Sequence, residues 1–253
     1  MFNIIHFHPS LQMAKRFVKP LVNMERKNDF NSKIISTELD FENRENLNFN
    51  FKISLFNILF FPFKLIQICF FIRRLNPKII ISHNSTSSLL PLLGSKLLKV
   101  ENRIYFNHGV PYLAYTGFQR FALYILEYLN CKLCTEIISV SNEMKSILKV
   151  LVNKKITVIN HGSACGIDLN LYKSNSSKSC LIEDNTNILK NDFVVIYVGR
   201  PVKRKGFDEL ILMWSNFFKN KKFKLLLCGC NKKDVSRLLK NIPKNIIPLG
   251  FVN

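Results

Sequence analysis

This sequence predicts an α/β fold, with parallel sheets in two successive domains, and three observations carry the prediction. Short runs of branched and aromatic residues alternate with amphipathic stretches at the spacing of strand–helix–strand units. The alternation halts in a Ser-, Lys- and Asn-rich connector, Lys173 to Ser179, and then resumes. A chain of 253 residues with 47% hydrophobic content has enough apolar matter for one large core or two small ones.

Taken in order, Phe2 to Phe7 reads as a strand and His8-Pro9-Ser10 as a turn. Leu11 to Met24 reads as a helix with Phe17, Leu21 and Met24 on one side. Ser32 to Ser36 is a second strand, and Thr37 to Asn50 a polar loop. Ile53 to Ile72 is the most apolar region and long enough to span a bilayer. However, Pro62 and Lys64 near its middle oppose a crossing, the lysine alone costing roughly 2.5–3.5 kcal/mol, and Asn57 and Gln67 add to the penalty. A membrane-surface helix, with Arg73 and Arg74 toward anionic headgroups, and an ordinary core helix are the two readings left.

Pro77 to His83 is the next strand, Ser88 to Lys99 a helix, and Arg103 to Phe106 a strand that runs into the loop Asn107-His108-Gly109-Val110-Pro111-Tyr112. Phe118 to Asn130 is an amphipathic helix carrying Glu127. Glu136 to Ser141 is a strand and turn, and Asn142 to Leu151 a helix opened by a serine cap with Glu143 in its first turn. Lys155 to Ile159 is a short strand before the turn Asn160-His161-Gly162-Ser163-Ala164-Cys165-Gly166-Ile167-Asp168-Leu169, and the domain boundary is expected near Asn160, giving domains 1–160 and 161–253.

In the second domain, Asp192 to Val198 reads as a strand buried on both faces. Gly199-Arg200-Pro201-Val202-Lys203-Arg204-Lys205-Gly206 is a tight basic loop. A helix follows, with Phe207, Leu210, Ile211, Trp214 and Phe218 on its apolar face and Asp208 and Glu209 in its first turn. Phe223 to Cys228 is a strand ending at Gly229, Asp234 to Asn241 a helix, and Asn245 to Leu249 a strand. A cationic loop between a parallel strand and a helix N-terminus suits phosphate, though a solvated basic turn reads the same way on these residues alone.

The net charge of +20, from 37 basic against 17 acidic residues, favours anionic partners. No groove-reading or base-stacking signature accompanies it, so nucleic acid is not the expected partner. Seven cysteines at irregular spacing fit a reducing compartment, and Cys131-x-x-Cys134 and Cys228-x-Cys230 lack well-spaced histidines, so structural thiols are expected over zinc ligands. The N-terminus has no charged region followed by a cleavage site, so the chain is expected to stay in the cytoplasm.

The basic loop with its flanking strand and helix resembles the donor-diphosphate loop of retaining glycosyltransferases of family 4, enzymes with the GT-B fold of two Rossmann-like domains. The succession of a strand, His108-Gly109-x-Pro111, a helix with Leu126-Glu127, and Ile137-Ile138-Ser139-Val140-Ser141 is similar to bacterial members that assemble surface polysaccharides. The turn at Gly162-Ser163 resembles their interdomain turn, with Ile167 where many have valine. The paired glycines that many members carry after the first strand are missing here.

The resemblance implies transfer of a sugar, with retention, from a nucleoside-diphosphate sugar, commonly a uridine diphosphate sugar, to a lipid-linked or saccharide acceptor of O-antigen or capsule. It implies catalytic roles for His108, against which the donor sugar rests, and for Arg200 and Lys205, which grip the diphosphate. It implies donor contacts at Gly199, Gly206, Gly229, Gly162 and Ser163. The departing diphosphate can take the acceptor's proton, so no protein base is needed. Neither a cofactor nor a metal is expected: no Asp-x-Asp pair occurs, Glu38-Leu39-Asp40 being the nearest approach. Relatives also carry a glutamate pair beyond the point where this chain stops, so a truncated, GT-B-type chain with an incomplete C-terminal domain is expected, on the inner face of the plasma membrane. The alternative is a non-catalytic remnant or scaffold subunit that binds a nucleotide or a membrane assembly.

Overall fold

The computed structural model describes residues 3–36, 60–167, 169, 188–189, 191–218 and 222–252. The polar loop containing Glu38 and Asp40, the first part of the Ile53 to Ile72 run, and the connector Lys173 to Ser179 lie outside them. The chain divides into two compact units, Met1–Ile167 and Asp168–Asn253. The turn after Asn160, assigned to the second domain on sequence, is therefore grouped with the first.

The first unit is a six-stranded parallel sheet in the order β2-β1-β3-β4-β5-β6. Its strands are β1 (Asn3–His8), β2 (Asn31–Ser36), β3 (Ile79–His83), β4 (Asn102–Asn107), β5 (Glu136–Ser139) and β6 (Ile156–Val158). The chain winds outward from β1 to β2, then returns across β1 to place β3. Parallel sheets open a crevice at the carboxyl ends of the strands where the order reverses. Here that point lies between β1 and β3.

The connecting helices are α1 (Leu11–Phe17), α2 (Lys19–Lys27), α3 (Phe61–Leu75), α4 (Ser85–Leu97), α5 (Gly117–Leu133) and α6 (Asn142–Leu151). The single helix expected over Leu11 to Met24 is two, broken at Val18, because Pro20 has no N–H to continue a ladder and sits instead in the first turn of α2. The buried stripe is Ala14, Val18 and Val22, packed with Ile34, rather than Phe17, Leu21 and Met24. Small residues at four-residue spacing let α1 and α2 lie close to the sheet, while Met24 is exposed.

Pro62 likewise starts α3 instead of interrupting it. That helix buries Ile68 and Ile72 against Ile5, Phe7, Ile35, Ile80 and Leu90, so the core-helix reading holds for one face, while Phe63, Ile66 and Phe70 are exposed. No described helix is long and apolar enough to cross a membrane. α6 opens as expected, the Ser141 hydroxyl accepting from the Met144 N–H.

The second unit has the parallel order β7-β8-β9, with β7 (Phe193–Val198), β8 (Phe223–Cys228) and β9 (Ile246–Gly250). Helix α7 (Phe207–Phe217) buries Phe207, Ile211 and Trp214 against Leu225, Leu227, Val235 and Ile246. The expectation that β7 is buried on both faces is corrected: Val195 and Tyr197 pack inward, but Phe193, Ile196 and Val198 are exposed. An apolar run without alternation does not distinguish a central strand from an edge strand, and β7 is at an edge among the described strands of this sheet. Helix α8 is shorter than predicted, Lys232–Ser236, and starts earlier because Asn231 and Asp234 close a reciprocal capping box.

Candidate active site

At the carboxyl edge of the first sheet, four histidines converge. His8 ends β1 with His6 two residues before it, His83 ends β3, and His108 follows β4. Since β1, β3 and β4 are neighbours, their ends stack the rings: His6 over His83 at 5.4 Å between centroids, and His83 over His108 at 5.2 Å. Ring nitrogens meet edge to edge as well. His6 Nδ1 lies 3.1 Å from His83 Nε2, and His83 Nδ1 lies 2.9 Å from His108 Nε2. At the inner end, Glu25 of α2 places Oε2 2.9 Å from His6 Nε2. His8 is held separately, by Ser10 and by the Asn84 amide.

His6 and His83 are fully buried and His108 is half-buried, covered by Phe106 and Phe17. Burial, then the charges of His6, His108 and His8, hold His83 well below the ordinary histidine value. Burial and His8 push His108 down to about 4. Burial works to raise Glu25, but the hydrogen bond and charge of His6, with Ser32 adding to them, together outweigh it and lower its carboxyl overall.

The His108 loop is positioned by a second buried group. Asn107 closes the loop in both directions, its amide donating to the Gly109 carbonyl at 3.0 Å and its oxygen accepting from the Gly109 N–H at 3.1 Å. Asn107 is in turn tied to Glu127, which accepts from Asn107 Nδ2 and Tyr105 O–H at 2.8 Å each and from Ser85 O–H at 2.5 Å. Glu127 is fully buried, and burial pushes its carboxyl up against these three bonds.

The predicted basic loop of the second unit closes β7 as expected. Gly199 N–H donates to the Cys228 carbonyl, Tyr197 O–H donates to the Arg200 carbonyl at 2.9 Å, and Arg237 donates to Pro201. Lys203–Lys205 forms one short 3-10 turn, ended by Gly206 in the left-handed region at φ 68°. Gly206 is also the residue before α7, and no side chain caps that N-terminus. Arg200 and Lys205 are exposed, and among the described residues neither forms an ion pair or side-chain hydrogen bond. Gly229, at φ 86°, lies against the same loop: a Cβ there would stand 2.7 Å from the Gly199 carbonyl oxygen. The loop therefore gathers Gly199, Arg200, Lys205, Gly206 and Gly229.

Gly162 and Ser163 lie in the first unit's final turn, Gly162 at φ 91° and the Ser163 hydroxyl accepting from the Gly166 N–H at 2.9 Å. Cys131 and Cys134 are buried, and burial pushes the Cys134 thiol to about 11, which suits packing residues. Sequence reading missed Glu25 altogether and assigned no site role to His6, His8 or His83. The available signal was that each histidine stands at the end of an apolar strand, where open parallel sheets bind ligands.

Two α/β units on parallel sheets, with polar groups collected at a strand-order reversal and on a cationic strand–helix loop, define a GT-B-type protein. Residues 25–166 match Glycosyltransferase Family 4, and the chain belongs to that family. The capsular polysaccharide biosynthesis glycosyltransferase CapM of Staphylococcus aureus is 30% identical over 169 residues, 65% of this chain and 44% of CapM. The chain thus spans less than half the length of that curated relative. Among solved structures, a glycosyltransferase from Rickettsia africae superposes with TM-score 0.73 at 16% identity, over 100% of this chain and 69% of its own. Anabaena HepE, in complex with UDP and glucose, gives 0.67 at 12% identity, over 100% and 70%. At such identities the structural likeness is one of fold.

Proposed function

We propose that this chain takes part in transferring a sugar from a nucleoside-diphosphate sugar to a growing surface polysaccharide, with the anomeric configuration retained. The observation that carries the reading is the loop after β7: two cations without partners among the described residues, Arg200 and Lys205, beside the uncapped start of α7. The chemical task is to hold the diphosphate as it departs with growing negative charge. Arg200 offers a planar fork of donors and Lys205 a compact charge, and backbone N–H groups after Gly206 add to both. Placing such charges before the reaction removes the cost of reorganising solvent around the leaving group. Gly199 and Gly229 leave the loop without side chains where the phosphates approach. In the first unit, His108, Gly162 and Ser163 are assigned to the sugar end of the donor, and the leaving diphosphate takes the acceptor's proton. No metal or cofactor is assigned a step.

UDP is the nucleotide favoured, since HepE is bound to UDP and glucose. The polymer is favoured by the likeness to CapM. The acceptor is a lipid-linked saccharide. A groove of about 500 Å³, lined by Tyr112, Leu113, Gly117, Arg120, Phe121 and Tyr124, offers its apolar part a surface. Exposed Phe118 and Phe121 beside Arg120 suit peripheral contact with an anionic membrane, on the cytoplasmic side where nucleotide sugars are made.

Titration calorimetry of UDP-glucose into the full chain tests the reading. Loss of a charge-assisted contact worth roughly 1.5–3 kcal/mol weakens binding about tenfold or more in Arg200→Ala and in Lys205→Ala. Equal affinity in the wild type and both variants removes the loop from the site.

A further inference from the structure

The line Glu25–His6–His83–His108 has a property that its separate contacts do not. An ionised carboxylate only accepts hydrogen bonds, so His6 Nε2 must carry a proton toward Glu25. With His6 neutral, its Nδ1 is then a bare acceptor, and the group facing it, His83 Nε2, must be the protonated nitrogen. The same logic passes through His83: its Nδ1 is bare, so His108 Nε2 supplies the proton between them. What remains is Nδ1 of His108, which makes no hydrogen bond among the described residues and belongs to the half-buried ring at the open end of the line. With His6 neutral, one carboxylate on α2 thus sets the tautomer of a ring three links away.

We propose that Glu25, His6 and His83 are positioning residues that fix His108 with its proton on Nε2 and its lone pair on Nδ1, aimed to accept a hydrogen bond from a hydroxyl of the bound sugar. The assignment of the sugar rests on the reading of His108 in the donor site; the tautomer does not. Three features support the arrangement. The line is straight in topology, crossing three adjacent strands, β1, β3 and β4. His6 and His83 are fully buried, so water does not compete for their nitrogens. Finally, burial disfavours charge on His83 and His108, which keeps a bare nitrogen on each ring. The charges that act on His83 come from His6, His108 and His8, and the charge that acts on His108 comes from His8. His8 is bonded to Ser10 and Asn84 instead of lying in the line.

A charge on His6 reverses the outcome. A proton on His6 Nδ1 would donate to His83 Nε2, His83 Nδ1 would donate to His108 Nε2, and His108 Nδ1 would become a donor. The two states are therefore distinguishable by which nitrogen of each ring carries hydrogen.

Long-range proton–nitrogen correlation spectra of the full chain, labelled with ¹⁵N-histidine and recorded at neutral pH, read this directly. The expected result is hydrogen on Nε2 and none on Nδ1 in His6, His83 and His108. Glu25→Gln keeps the side chain's shape but presents an amide that donates as well as accepts. In that variant His108 is expected to show both tautomers with the circular dichroism unchanged. Hydrogen on Nδ1 of His108 in the wild type overturns the proposal, as does a Glu25→Gln protein that folds and keeps the wild-type tautomers. Should that variant fail to fold, the wild-type spectrum alone decides. Adding UDP-glucose to the wild type is expected to shift the His108 Nδ1 resonance while Nε2 keeps its hydrogen. Failure of UDP-glucose to bind defeats the donor-site reading and leaves the tautomer measurement standing.

Discussion

Replacing Glu127 by alanine and by glutamine separates what its shape does from what its charge does. Alanine removes the acceptor of three buried donors, on Ser85, Tyr105 and Asn107. These groups recover part of the loss among themselves: the Ser85 and Tyr105 hydroxyls are 3.2 Å apart, and Asn107 keeps the Gly109 carbonyl. The net cost should match the breaking of a buried polar network, on the order of 3–5 kcal/mol. At roughly 2–4 °C per kcal/mol for a chain of this size, Tm falls by about 6–20 °C.

Glutamine behaves differently. Tyr105 and Asn107 both bond Oε1, which an amide oxygen replaces, while only the Ser85 hydroxyl meets Oε2, and a hydroxyl can turn to accept from an amide. The cost of Glu127→Gln is about 1 kcal/mol. Burial raises the carboxyl of Glu127 in the folded state, so the folded protein holds its proton longer than the unfolded chain. Wild-type stability therefore declines as pH rises from the unfolded value, about 4.3, through the raised folded one. Glutamine has no such slope, so the gap between the two proteins narrows toward neutral pH. Urea unfolding of the full chain, followed by circular dichroism at acid and neutral pH, measures both quantities. A glutamine variant as unstable as the alanine variant, or an alanine variant within about 1 kcal/mol of wild type, would refute the reasoning.

Other expectations follow from the same geometry. Gly229→Ala places a Cβ 2.7 Å from the Gly199 carbonyl at a left-handed φ, so it should destabilise the second unit by about 1–2 kcal/mol; the urea midpoint reports it, and an unchanged midpoint contradicts the close approach. The lowered carboxyl of Glu25 contributes stability that is full above the unfolded carboxylate value and is lost as pH falls through the folded one. Glu25→Gln should flatten that acid limb, and an identical acid limb in both proteins would show that the His6 contact does not form. Phe118→Ser with Phe121→Ser should reduce sedimentation with phosphatidylserine vesicles, and equal sedimentation would leave α5 without a role in membrane contact.

Local pattern carried much of the architecture because strands and helices here are separated by the residues that punctuate them, such as the cap Ser141 and the loop glycines. The basic loop holding Arg200 and Lys205 was legible as a loop for the same reason: the strand, loop and helix are continuous in sequence. Long-range pairing was not legible. Nothing near His6 or His83 in the chain reveals that β1 lies beside β3 and β3 beside β4, yet that order alone stacks the histidines. Glu25 was hidden further, since the break at Val18 turns α2 into a separate helix with its own facing. The open side of β7 escaped for a related reason, because hydrophobicity records what can be buried and not which neighbours arrive to bury it.

The turn that closes the first unit has its own consequence. At Gly162 an added Cβ would collide with the Val140 carbonyl, and the residue after Val140 is Ser141, whose hydroxyl caps α6. The turn is thus wedged against the corner where β5 hands over to α6. A ligand or strain that displaces this turn must also disturb a helix cap, so the first turn of α6 becomes a sensor of anything that grips Gly162 or Ser163. Amide exchange at Met144 would register such a grip from the far side of the wedge.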